Sequence, residues 1–485
     1  MASQEIKLHA IVIPLMSQSH LIPMIDLSKL LAQRGLTVSI ITTPLNALHY
    51  QPILKSPINS NLQIHLIPLH FPCNDVGLPQ NCENLDSLPC PKLKTKFLQS
   101  SYLLQNPLED YLVKVNPSPS FIISSLPWTH HVAQKFNIPR FAYQGVSCFT
   151  LFCSHKMMVH KVYESVKSDF EPFYVPEILD KVEFTYAQLP KMMKKNCSID
   201  DCDGLKQIQD QFKEAESSAE GLLVNSFEEL ELDYVKSYKN VMRNVLCVGP
   251  LSISSKMKNE GNFEGHYCLK WLDLMKPKSV LYVCFGSLCH LMPKQLIELG
   301  MGLESSNCPF IWVIRDVDYN EDVMKWLKDE NFESRVQGRG LIVKGWAPQV
   351  LILSHSATGG FLTHCGWNST LEAICAGVPM ITWPMFAEQF FNEKFIVQVL
   401  KIGVRIGVEV SMQWGEEKND GVYVTRECVK NAIEKLMDGW EIGQERRRRA
   451  IEYGEKAKRA IEEGGSSYLN ITSFIKHVQA TNANK

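Results

Sequence analysis

Two series of short apolar runs alternate with helix-spaced stretches along the 485 residues, and a polar break separates the series. Such runs, each bounded by turn residues, suit strands buried on both faces, and the stretches between them suit crossover helices. In the first series Leu8 to Pro14 reads as a strand, and a short polar loop, Met16-Ser-Gln-Ser, follows it. His20 then opens a helical stretch in which Leu21, Met24, Ile25, Ser28, Leu31 and Ala32 share a face, with Pro23 in its first turn and Gly35 as its stop. Leu36 to Thr42 returns as a strand, which completes a βαβ unit. Leu62 to Leu66, Phe121 to Ser124 and Gly221 to Asn225 are further strands.

After Gly249-Pro250 the stretch Ser252 to Gly265 is rich in Ser, Lys, Asn and Gly and reads as a linker. The second series runs strand Val280 to Phe285, helix Pro293 to Ser305, strands Phe310 to Arg315, Leu341 to Lys344 and Gly360 to Thr363, helix Ser369 to Ala376, and strand Pro379 to Trp383. The expected class is therefore α/β, with two Rossmann-like parallel-sheet domains facing each other across a cleft. The expected division is 1–248, a linker at 249–267, a second domain at 268–463, and a C-terminal helix at 464–485 packing back on the first domain.

A formal net charge of −2 gives no electrostatic reason to expect nucleic acid or an anionic membrane as partner. The basic run Arg446 to Arg449 is flanked by Glu441, Glu445, Glu452 and Glu455, so an ion-paired helix face is expected there. The first residues carry no basic n-region, and no run of about 18 apolar residues suggests a span. Fifteen cysteines without close pairing suit reduced thiols, so a cytoplasmic protein is expected, with a monomer as the default.

The most informative segment is the 44 residues from Trp346 to Gln389, which open Trp-Ala-Pro-Gln, carry His-Cys-Gly-Trp-Asn-Ser at 364–369 and close Glu-Gln. A strand leading through a Gly-containing turn into a helix near Ser369 offers unsatisfied N–H groups and a positive dipole end, suited to a diphosphate. His364, Asn368 and Ser369 add side-chain donors, Trp346 a flat face for a base, and Glu388 and Gln389 partners for sugar hydroxyls. Blander readings exist for the same residues. Ser369 and Glu372 fit a helix capping box, and Trp346 and Trp367 could be core aromatics.

This segment resembles the signature box of the plant UDP-dependent glycosyltransferases of secondary metabolism (glycosyltransferase family 1), and the resemblance extends from the His20 region to Gly464-Gly465-Ser466-Ser467. It implies a GT-B fold and transfer of a sugar, most simply glucose, from UDP-glucose to a small lipophilic acceptor. By position, Trp346 would stack on uracil, Ala347 pair with its edge, and Gln349 and Glu372 face the ribose. His364, Asn368, Ser369 and Ser287 would hold the diphosphate; Trp367, Glu388 and Gln389 the hexose. A closing Gln goes loosely with glucose. His20 would be the general base of an inverting displacement, its unperturbed pKa of about 6.5 suiting that task. No metal or other cofactor is implied.

One departure stands out against that pattern. The family places an Asp after the strand Phe121 to Ser124 to orient the base His, whereas this chain reads Ser124-Ser125-Leu126-Pro127-Trp128-Thr129, two residues short and without Asp. Loss of the orienting carboxylate costs roughly 10⁴ in serine proteases. A slow catalyst, a restriction to acidic acceptors, or a substitute orienter among Ser125, Thr129 and His130 is expected. The acceptor is then a flavonoid or other phenol, with a triterpenoid or steroid, or a non-transferring UDP-sugar binder, as alternatives. A dinucleotide dehydrogenase would need a Gly-rich turn, and Pro14 to His20 has no glycine. The two Asp-x-Asp triplets, Asp201-Cys-Asp203 and Asp316-Val-Asp318, lie in polar stretches and are not read as metal sites.

Overall fold

The computed structural model describes residues 7–54, 61–194, 210–256, 266–315, 318, 320–412 and 424–483. Among these, seven parallel strands form one sheet and six another. The first sheet contains β1 (His9–Ile13), β2 (Thr37–Thr42), β3 (Ile64–Pro68), β4 (Phe121–Ser124) and β5 (Arg140–Gln144). A two-stranded antiparallel ribbon, β6 (Pro172–Tyr174) with β7 (Glu183–Thr185), precedes the two last strands of that sheet, β8 (Gly221–Val224) and β9 (Val245–Cys247). The second sheet contains β10 (Val280–Cys284), β11 (Phe310–Ile314), β12 (Gly340–Lys344), β13 (Thr358–Thr363), β14 (Met380–Thr382) and β15 (Gly403–Arg405).

Strand order decides where ligands can sit. The first sheet runs β3-β2-β1-β4-β5-β8-β9 and the second β12-β11-β10-β13-β14-β15. The order reverses between β1 and β4 in the first and between β10 and β13 in the second. At such a reversal the connections leave to opposite sides and open a crevice at the carboxyl ends of the strands. The helix carrying His20 begins shortly after β1, and His364 directly follows β13.

The chain divides into two compact units, one of Met1–Cys148, Cys197–Asn259 and Ala460–Lys485, the other of Phe149–Asn196 and Glu260–Arg459. This departs from the expected division in one long segment, since 149–194 packs with the second unit. The reason is local. Phe149 stacks on Phe395 at 4.8 Å, Phe184 tilts on Phe391 at 4.8 Å, and Thr150 bonds Asn392 at 3.2 Å. Gln188 Nε2 donates to Glu409 at 2.7 Å and Ser411 N–H to the Ala187 carbonyl at 2.9 Å. In the first unit the helix Ser466–Ala483 places Phe474 edge-on to Phe121 and Phe141 at 5.2 and 4.8 Å.

Part of the expected linker is helical, Leu251–Lys256, while 257–265 lies outside the described residues. On the helix Glu441–Ile461, Arg448 pairs with Glu445 and Glu452, and Arg449 with Glu445. No helix among the described residues is long and apolar enough to cross a membrane.

Candidate active site

In the second unit the turn after β13 is built under strain. Cys365 takes φ +66, its carbonyl held by Asn392 Nδ2 at 2.8 Å, and its N–H donates to Thr363 Oγ1 at 3.2 Å. A non-glycine residue there costs energy that the surrounding bonds must offset, a pattern that gathers at functional sites. The turn delivers the chain into the helix Trp367–Cys375, whose N-cap residue is Gly366 and carries no side-chain cap. The capping box expected of Ser369 and Glu372 is not formed, because the helix starts two residues earlier than the periodicity suggested. Its positive end therefore stays open for an anion.

His364 stands at this mouth packed against two glycines. A Cβ at Gly366 would lie 2.3 Å from its Nε2, and one at Gly286, itself at φ +69, would lie 2.6 Å from its Cε1. No larger residue fits either place without moving the ring. Its Nδ1 is sealed from water without a hydrogen-bond partner, and burial, then the charge of Arg315, pull its pKa down to about 3. His364 is thus a neutral imidazole.

Arg315, at the end of β11, was missed by sequence reasoning. Its guanidinium donates to the Ser287 and Cys289 carbonyls and to Asp318, at 2.9 Å from Nε and 2.7 Å from Nη2. His290 Nδ1 is 3.0 Å from the same carboxylate. Arg315 straps the loop after β10, which bears Ser287, and adds a cation beside His364. Asp318 is accordingly an ion-paired carboxylate. Asp316, Asp201 and Asp203 lie outside the described residues. An arginine closing a strand is common in sequence, and only the fold brings this one to the mouth.

Gln349 knits the neighbouring wall. Its Nε2 donates to Ser369 Oγ at 3.1 Å and to Glu372 Oε2 at 2.8 Å, and its Oε1 accepts from Tyr282 at 3.4 Å. The two tryptophans part company. Trp346 is 64% exposed on the loop before the helix Gln349–Ser354, with Ala347 buried beside it, whereas Trp367 is 2% exposed, its ring 6.3 Å from Phe395. The core reading holds for the ring of Trp367, so contact with a ligand there falls to its backbone. Asn368 is half-buried in the first turn of that helix and Glu388 half-buried at the N-cap of the helix Gln389–Lys394, just after Ala387 at φ +54. Gln389 is buried and engaged: Oε1 accepts from Met385 and Phe386 N–H at 2.8 and 3.1 Å, and Nε2 points at Cys289 Sγ at 3.5 Å. Any sugar contact from it is limited to one remaining amide hydrogen.

In the first unit His20 lies in the first turn of the helix Gln18–Gln33, at the strand-order reversal. The side chain is part-exposed, but Nδ1 is closed off and without a hydrogen-bond partner; burial pulls the pKa down to about 4, against the charge of Asp86. None of the three expected orienters reaches it. Ser125 Oγ accepts from Leu15 N–H at 2.9 Å, Thr129 Oγ1 donates to the Leu126 carbonyl and accepts from Arg140, and His130 bonds Ser218 at 2.8 Å. Each has its own structural partner, which corrects the expectation.

The family model for UDP-glucoronosyl and UDP-glucosyl transferases matches residues 207–438. UDP-glycosyltransferase 73C3 of Arabidopsis thaliana is 47% identical over 482 residues, covering 97% of this chain and 96% of its own. Among solved structures, Glycyrrhiza uralensis UGT73P12 complexed with glycyrrhetinic acid 3-O-monoglucuronide aligns with a TM-score of 0.90 at 34% identity, over 99% of this chain and 97% of its own. Phytolacca americana UGT2 complexed with UDP-2fluoro-glucose and pterostilbene aligns with a TM-score of 0.76 at 27% identity, over 97% and 99%.

Proposed function

The chain belongs to the plant UDP-glycosyltransferases, enzymes of GT-B fold, and from that premise we propose an inverting glucosyltransferase that acts on phenolic hydroxyls of small lipophilic metabolites in the cytoplasm. His20 carries the reading. An imidazole in the first turn of a helix at a strand-order reversal, neutral through burial, is a general base awaiting a proton. It takes the acceptor's hydroxyl proton as that oxygen bonds to the anomeric carbon. The bond from that carbon to the diphosphate oxygen breaks, and its electron pair leaves with UDP. The open helix end, His364 and the cation of Arg315 stabilise the departing charge, so no metal is needed. A base this weak favours an acceptor that is itself acidic, hence phenols over aliphatic alcohols.

A triterpenoid alcohol is the second reading, supported by the relative that carries glycyrrhetinic acid 3-O-monoglucuronide, a triterpenoid glycoside. Incubation with UDP-glucose and a mixed panel of flavonols, stilbenes, simple phenols and triterpenoid alcohols, with and without EDTA, separates the two. Glucosides of the phenols, unaffected by EDTA, are expected. Product from triterpenoids alone would install the second reading. UDP-glucose binding without any product would make the protein a binder rather than a transferase.

Arg315→Met tests the donor wall. It removes charge-assisted bonds to the Ser287 and Cys289 carbonyls and leaves Asp318 without its guanidinium. Losses of about 1.5–3 kcal/mol for bonds to charged groups make the expected rise in KM for UDP-glucose tenfold or more. Arg315→Lys should rescue little, since an ammonium cannot reproduce the fork. Unchanged donor affinity in both variants would remove Arg315 from the site.

A further inference from the structure

The helix that carries His20 has no cap of its own. Ser17 stands at its N-cap position in extended conformation and makes no side-chain cap bond. The missing acceptor arrives from far along the chain, since Gln18 N–H donates to Asp86 Oδ2 at 2.7 Å. A carboxylate is thereby fixed on the first turn, two residues from His20, and it is half-buried there.

The segment that brings it is held at every residue. Glu83 accepts from Leu45 N–H at 2.8 Å, and its carbonyl accepts from Asn46 Nδ2 at 3.0 Å. Asn84 Nδ2 donates to Asn46 Oδ1 at 2.8 Å, while Asn84 Oδ1 accepts from Asp86 N–H at 2.9 Å. Leu85 is buried, its N–H on the Met16 carbonyl at 2.8 Å, in the very loop that leads to His20. One short stretch therefore caps the starts of two helices and leaves Asp86 little freedom.

We propose that Asp86 is the charge partner of His20, standing in for the carboxylate this chain lacks after β4. When the acceptor proton reaches the imidazole, the Asp86 carboxylate stabilises the imidazolium through space. The proton stays on His20 and nothing is transferred to Asp86. It is a positioning residue, and the inference rests on His20 being the base.

The surroundings leave Asp86 as the charge that matters. Its field is what opposes burial at His20. Tyr50, on the helix Pro44–Leu54, faces the same carboxylate, and its phenol is pushed up first by burial and then by Asp86, so it stays neutral. On the His20 helix itself Asp26 is paired with Lys29 at 3.1 Å. From β5 comes Tyr143, its phenol likewise pushed up by burial and then by Asp26. The end of β4 contributes the uncharged Ser124 and Ser125.

Asp86→Asn keeps an oxygen to accept from Gln18 N–H and removes only the charge; Asp86→Ser is a second neutral cap. The readout is the pH profile of kcat/KM, with Asp86→Glu and His20→Ala run beside them. A negative charge raises the pKa of a neighbouring imidazole, so its removal should move the acid limb to lower pH. Because the base is then weaker, kcat near neutral pH should fall about tenfold on an unactivated alcohol and less on an acidic phenol. Donor affinity should stay put, and Asp86→Glu should restore both limb and rate. A wild-type profile in the neutral variants would overturn the proposal. So would a lower rate with an unmoved limb that glutamate does not rescue, or failure of both neutral variants to fold, because the cap alone would then explain Asp86. Wild-type turnover by His20→Ala would instead sink the base, and Asp86 with it.

Discussion

His20→Ala should lower kcat about a thousandfold near neutral pH while leaving UDP-glucose affinity where it was. Positioned general bases contribute roughly 10² to 10⁴, and the carboxylate on the same turn, Asp86, is engaged by Gln18 N–H. Donor affinity is spared because the residues assigned to the donor, from Ser287 to Gln389, all belong to the other unit. The pH profile of the wild type carries the same information. With the imidazole pKa pulled to about 4, the neutral form dominates above about pH 5, so activity should hold a plateau there and fall as pH drops through 4. Stability should follow the same sign. Between the ordinary 6.5 and about 4 the unfolded chain binds a proton that folded His20 does not, and stability is lost as pH falls through that window. A variant that keeps a tenth of wild-type turnover would show that water or another group does the work.

How far the sequence reached depended on the length scale of each feature. Strands buried on both faces, such as β1, β10 and β11, were legible within a residue or two because a continuous apolar run has one comfortable home. β15 and the ribbon β6-β7 were not, being three residues long and only partly buried. Helix starts misled where a local motif competed with tertiary structure. Ser369 and Glu372 have the spacing of a capping box, yet both side chains serve Gln349. Conversely the His20 helix lacks a local cap that works and borrows one from Asp86. No window of the sequence joins residues 18 and 86, and no pattern marks the acidic residue in Glu83-Asn-Leu-Asp as the one that turns toward His20. The signature segment told which residues cluster but not how they divide the work. Trp346 and Trp367 look alike in a string, and only packing sends one to solvent and the other inward.

Gly366→Ala should cost about a hundredfold in turnover although it adds a single methyl. At φ −61 the backbone would accept alanine, so the effect is purely one of space. The new Cβ would sit 2.3 Å from His364 Nε2 and 3.0 Å from Cε1, and Gly286 is packed just as closely against the ring. The imidazole must therefore leave the mouth of the helix. Removing one preorganised donor from a site of developing negative charge costs roughly 10² to 10³. The choice between displacement and general damage is settled by a double-mutant cycle. In a His364→Ala background there is no ring to displace, so Gly366→Ala should add little, a strong departure from additivity. Gly439→Ala, where an added Cβ meets no atom within 4 Å, should behave as wild type throughout. Full and independent losses from Gly366→Ala and His364→Ala would mean that the glycine serves the diphosphate directly, by letting it approach the backbone, and not by seating the histidine.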